Sequence, residues 1–185
     1  MGNDTIDPTA YKPLLTVIAK GESQGNYNAY FGHASDSDIK FTDMTIAEVL
    51  SWQESFVNQG SPSSAVGKYQ IIAPTLRGLV KQLGLDTNDK FNAPMQDRLA
   101  MALIDRRGAK DFAKQKISIE QFGTNLSQEW AALPALQGAN SGRSYYDGDG
   151  LNAARVSDQE IRGAITNFGE LARTPRPIKY ESTIY

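Results

Sequence analysis

Leu14-Leu15-Thr16-Val17-Ile18-Ala19-Lys20-Gly21-Glu22-Ser23-Gln24-Gly25-Asn26-Tyr27-Asn28 joins an apolar helical run to a polar, glycine-bearing turn. Asp7-Pro8-Thr9 offers helix-start chemistry ahead of it, Leu14, Leu15, Val17, Ile18 and Ala19 supply a buried face, and Gly21 predicts the stop. Glu22 then lies at or just past a helix C-terminus with an apolar face behind it. Burial disfavours the charged form of a carboxyl group and raises its pKa, so Glu22 is the candidate acid. The plainer alternative is a surface Glu that ends a helix.

Working outward, Asn26 to Asp43 mixes aromatics, Gly32 and small polar residues without a helical period, which predicts the strands and loops of a small sheet or flap. Thr45-Ile46-Ala47-Glu48 is a capping-box pattern ahead of Ile46, Val49, Leu50, Gln53, Phe56 and Val57 at helical spacing, a helix to about Asn58. Pro74 and Gly84 bracket a third helix, and Ala93-Pro94 opens the longest helical pattern, running to Gly108 with an extension or restart over Asp111 to Lys116. Ser118-Ile119-Glu120 begins a short helix, and Leu126 to Leu133 around Trp130 predicts one more. Gln137 to Gly150 is a long Gly-, Asn-, Ser- and Tyr-rich loop of the kind that carries function. Ser157-Asp158-Gln159-Glu160 caps a final helix ending near Gly169. The expectation is one domain over residues 1–172 and an extended tail over 173–185.

Composition narrows the chemistry. With 185 residues, 40% hydrophobic and 22% charged, the chain is long enough to core one domain. Its net charge is −2 and its Lys and Arg residues are scattered, so no nucleic-acid footprint appears. No cysteine and a single histidine, His33, leave no disulfide, thiolate nucleophile or zinc cluster to build. Met1-Gly2-Asn3-Asp4-Thr5 lacks a basic start followed by an apolar core, and no apolar stretch reaches spanning length. The expectation is a product made in a host cytoplasm without a signal peptide or membrane insertion.

A second polar-aromatic patch, Ser64-Ala65-Val66-Gly67-Lys68-Tyr69-Gln70-Ile71-Ile72, follows the acid. Together the two patches look like a carbohydrate-cleaving site. Glycosidic cleavage protonates a poor leaving oxygen while an oxocarbenium-like centre develops, and that needs a carboxylic acid held protonated near neutral pH.

Taken in order, Glu22-Ser23 after an apolar helix, then Gly67-Lys68-Tyr69-Gln70-Ile71 and Leu83-Gly84-Leu85, resemble the goose-type lysozyme and soluble lytic transglycosylase superfamily. Within it the chain is most similar to the lambda-type phage lysozymes, an endolysin class. Phe41-Thr42-Asp43, Lys81-Gln82-Leu83-Gly84-Leu85, Arg106-Arg107-Gly108-Ala109 and Glu129-Trp130-Ala131-Ala132-Leu133-Pro134 add to that likeness, which spans roughly 14 to 150. Departures fall at Thr45 to Asn58, at Ala135 to Gly150 and after Gly150.

The resemblance implies a predominantly helical α+β, lysozyme-like fold with a small antiparallel sheet or flap over the cleft. It implies a cofactor-free enzyme, working as a monomer on peptidoglycan glycan strands in the wall or periplasm, for lysis or penetration by a phage. Carried over by motif position, Glu22 is acid and base of a water-free cleavage leaving 1,6-anhydromuramyl ends. Tyr69 and Gln70 line the muramyl subsite beside Lys68, and Ser23 orients the carboxylate or satisfies a turn. In the late loop Tyr146, with Tyr145 second, covers the cleft, although one of an adjacent Tyr pair is expected to pack on the core.

A hydrolysing muramidase would need a second carboxylate, for which Asp36, Asp38 and Asp43 are candidates. His33, Trp52 and Trp130 read as packing or rim residues, with sugar stacking an alternative for Trp52. Asp147-Gly148-Asp149-Gly150 reads as a turn, since the calcium loop's later ligands and terminal Glu are missing. A wall-binding tail module without activity is the reading from a different class; an intact Glu22 argues against it.

Overall fold

The computed structural model describes residues 5–174. Among them are seven α-helices: α1 (Lys12–Ser23), α2 (Ile46–Asn58), α3 (Ala73–Leu83), α4 (Ala93–Arg106), α5 (Ala109–Ala113), α6 (Ile119–Glu129) and α7 (Asp158–Arg173). Pro8–Tyr11 and Phe41–Asp43 form 3-10 turns. The expected tail beyond Thr174 lies outside the described residues.

Local chemistry sets most boundaries. The side chains of Thr45, Asn92, Ser118 and Ser157 each accept the backbone N–H three residues on, which satisfies a donor that the first helical turn leaves unpaired. At α7 the box closes fully, Glu160 reaching back to the Ser157 amide. Gly84 ends α3 in the left-handed region at φ 61°.

Three boundaries differ from expectation. Helix α1 runs through Gly21 to Ser23 and stops at Gln24, left-handed at φ 55°. Gly21 is there for closeness: a Cβ on it would stand 2.9 Å from Val156 Cγ2 and 3.0 Å from Ala132 Cβ. Gly169 is likewise inside α7, where a Cβ would meet Phe112 at 3.0 Å, and the helix continues to Arg173. The helix expected around Trp130 does not form. Trp130 caps α6 in extended conformation, and the chain turns through Ala131 to Leu133 into the long loop.

The sheet is minor. Tyr30 bridges His33 and Val66, and Val66 bridges Ile71, so the flap is held by isolated antiparallel pairs. Its weight rests on an aromatic cluster in which Trp52 stacks on Phe56 at 4.6 Å and meets Phe41 and Tyr30 edge-on. Trp52 is therefore a packing residue. A second cluster, Tyr11, Phe112, Phe122 and Phe168, joins the start of the chain to α5, α6 and α7. Helix α7 lies against α1, α5 and α6, so the last described helix backs the helix that carries Glu22.

Candidate active site

Glu22 is the penultimate residue of α1, half-buried at the edge of a cleft of about 490 Å³. It is lined by the flap residues Tyr30, Phe31, Gly32 and Ala34 and by Pro62, Ser63 and Ala65. Gln70, Ile72, Glu129, Trp130, Tyr146, Leu151 to Ala153 and Arg155 add to the lining. The backbone N–H of Ala132 donates to Glu22 Oε1 at 3.2 Å. The carbonyl of Ala132 in turn accepts from the amides of Arg155 and Val156 at 2.8 and 3.2 Å, so one residue ties the acid to the segment bearing Arg155. Gly21 permits this approach.

Burial is the largest influence on Glu22 and raises its pKa from 4.5 to about 7, outweighing the Ala132 hydrogen bond and the Arg155 charge, which both lower it. A carboxyl group that titrates near neutral pH can both donate a proton and take one back.

The second patch forms the turn Gly67–Gln70, and the structure divides its residues. Gln70 faces the cleft from a left-handed backbone at φ 49°, its amide nitrogen donating to Gly67 O at 2.9 Å. Tyr69 points the other way, 1% exposed, donating its hydroxyl to Asp97 at 2.6 Å. It is not among the residues that line the cleft. Neighbours in a tight turn point to opposite sides, and the apolar face of Tyr69 belongs with the core. Lys68 is also turned away, its ammonium 3.3 Å from the Tyr27 hydroxyl and over that ring.

Ser23 is buried and donates its hydroxyl to Lys68 O at 2.7 Å, clamping the turn to α1 rather than orienting the Glu22 carboxylate. Fully buried Gln96 holds the same turn, accepting from Lys68 N and donating to Tyr27 O and Phe91 O. Gly67 is forced by this contact: at φ 81° its Cβ would fall 2.4 Å from Gln96 Oε1.

In the late loop Ser144, not a tyrosine, is the buried residue; Tyr145 and Tyr146 are both exposed and meet edge-on at 5.3 Å. Tyr146 lines the cleft with its hydroxyl donating to Gln128 O, whereas Tyr145 is not among the lining residues. Asp149 accepts from the amides of Leu151 and Asn152, both at 2.8 Å, which makes this stretch a turn.

None of the three candidate second carboxylates lines the cleft. Asp36 is 2.6 Å from His33 Nδ1, Asp38 accepts a long hydrogen bond from Tyr30, and Asp43 sits in the 3-10 turn before α2.

Sequence reasoning missed the carboxylate that does line it. Glu129 is held by Arg106 and Arg107 at 2.8 and 2.7 Å, its side chain 7% exposed. Arg155 was missed too, for no local pattern marks it. Trp130, read as packing or rim, is both: 3% exposed, it donates Nε1 to Tyr69 O at 3.0 Å and shows an edge to the cleft. Among the described residues no cluster of His, Asp and Glu is arranged to hold a metal.

A family model described as Endolysin matches residues 14–157. The chain belongs to the endolysin family. Two solved structures share the fold of this endolysin. Lysozyme from bacteriophage lambda superimposes with a TM-score of 0.53 at 21% identity, covering 93% of this chain and 99% of that one. Bacteriophage lambda lysozyme complexed with a chitohexasaccharide gives 0.51 at 22% identity over the same shares. The lysozyme-like, predominantly helical architecture is thus shared along nearly the whole length of both. No curated protein matches the endolysin by sequence. No helix of its described residues is long and apolar enough to cross a membrane.

Proposed function

We propose that this endolysin cleaves the β-1,4 bond between N-acetylmuramyl and N-acetylglucosaminyl residues of peptidoglycan without water, leaving 1,6-anhydromuramyl ends, for breach of a bacterial wall by a phage. Its family and fold support peptidoglycan cleavage. One observation carries the mechanism: Glu22, raised to about 7, is the cleft carboxyl group free to exchange protons, because Glu129 is committed to two arginines.

Protonated Glu22 gives its proton to the glycosidic oxygen as the C1–O4 bond breaks, and the glucosaminyl residue leaves as the 4-alcohol. The muramyl 6-hydroxyl closes on C1, and its proton returns to the Glu22 carboxylate, regenerating the acid. The Ala132 N–H and the Arg155 charge stabilise the carboxylate between the two transfers. Gln70 and Tyr146 line the cleft and present polar groups to the sugars, Gln70 with acceptor and donor positions that suit acetamido and hydroxyl groups.

Glu22→Gln keeps the shape and the Ala132 contact but removes the transferable proton. Turnover of purified peptidoglycan is expected to fall by about 10³-fold or more, with folding and wall binding retained. Turnover near the wild-type rate in that variant would remove Glu22 from the chemistry.

A further inference from the structure

A second groove of about 470 Å³ lies between α2, the start of α3 and the loop through Pro62. It shares Pro62, Ser63 and Ile72 with the cleft, so the two adjoin. Its surface carries two exposed aliphatic side chains, Val57 and Ile72, and no aromatic ring on which a pyranose could stack. Glu54 and Arg77 also line it. Among the described residues neither is engaged in an ion pair or a side-chain hydrogen bond. Beneath it Gln53, fully buried, donates Nε2 to Ser64 O and Ile71 O, which leaves its Oε1 without a partner among the described residues.

Glycan sugars with an amide-linked lactyl group are neutral. The short peptide stem on each muramyl residue is not: it bears carboxylates and an amino group, aliphatic side chains and backbone N–H donors. We propose that this groove takes the peptide stem of a muramyl residue bound in the cleft, an inference that rests on the reading of the cleft as a peptidoglycan-cleaving site. Arg77 meets a stem carboxylate, Glu54 meets the stem amine, and Val57 and Ile72 cover the aliphatic part. The endolysin is then selective for stem-bearing strands over bare glycan.

The test compares stem-bearing glycan strands with strands stripped of peptide by an amidase, using wild type and the Glu54→Ala/Arg77→Ala double variant, two exposed positions. Wild type is expected to show a KM about 3- to 5-fold lower on stem-bearing strands, as two screened charge contacts allow, and the double variant to lose that advantage with kcat and stripped-strand cleavage unchanged. Equal KM values for wild type overturn the proposal, as does a parallel loss on both substrates, which would make the groove a sugar subsite. Free stem peptide titrated onto wild type separates the two readings: NMR shifts at Val57 and Ile72 are expected whether or not the cleft cleaves. Shifts absent there overturn the groove assignment even where both substrates are cut, whereas shifts present with neither substrate cut overturn only the cleft reading.

Discussion

A carboxyl group with a pKa of about 7 in the fold and 4.5 outside it binds more protons folded than unfolded between those values. Folding stability therefore falls as pH rises through that window, and the full cost is present above it. Replacing Glu22 by Gln removes the cost, so the variant is expected to be more stable than wild type by about 3 kcal/mol at pH 8 and about equal at pH 4. Urea unfolding at the two pH values measures this; a variant no more stable at pH 8 would contradict the desolvation of Glu22. In the proposed mechanism the same carboxyl sets the working range. Activity is expected to fall above a pH of about 7, where the proton to be donated is lost. Arg155 lowers the pKa of Glu22, so Arg155→Ala should move that alkaline limb of kcat/KM upward. An unmoved limb would mean that the guanidinium is fully screened.

Between elements, the acid depends on how closely α1 approaches the segments bearing Ala132 and Val156. Gly21→Ala places a methyl 2.9 Å from Val156 Cγ2, an overpacking expected to cost about 1–3 kcal/mol and to lower kcat more than KM by displacing Ala132 from Glu22. Thermal unfolding with steady-state kinetics tests both halves. This contact also shows where the sequence was readable. Caps such as Ser157 to Glu160 and the stop at Gly84 declare themselves, because the chemistry that satisfies a helix end lies within a few residues of it. Gly21 and Gly169 were misread as stops because a glycine that ends a helix and one that lets two segments touch are the same letter, and only the partner tells them apart. The site divides the same way. Glu22 follows from its own helix and Gln70 from its turn, but whether Lys68, Tyr69 or Gln70 faces the cleft depends on Asp97, Gln96 and Trp130, far along the chain. The Glu129 pairing with Arg106 and Arg107 was likewise illegible, since those charges meet only where the ends of α4 and α6 come together.

Across the molecule, the site is a seam between segments supported from behind by α7. Phe168 is fully buried and joins Tyr11 to Phe112 and Phe122. Phe168→Ala is expected to destabilise the fold by about 3–5 kcal/mol while leaving KM near wild type at temperatures where the protein stays folded. A changed KM with unchanged stability would separate α7 from the structural role assigned to it. That backing keeps the acid buried, and burial with a single free carboxyl group is what the proposed chemistry requires. The most direct test digests purified peptidoglycan with the wild-type endolysin and weighs the released muropeptides by mass spectrometry. Muramyl ends one water lighter than reducing ends are expected from Glu22 acting as sole acid and base; reducing ends would contradict it and require a second carboxylate to activate water.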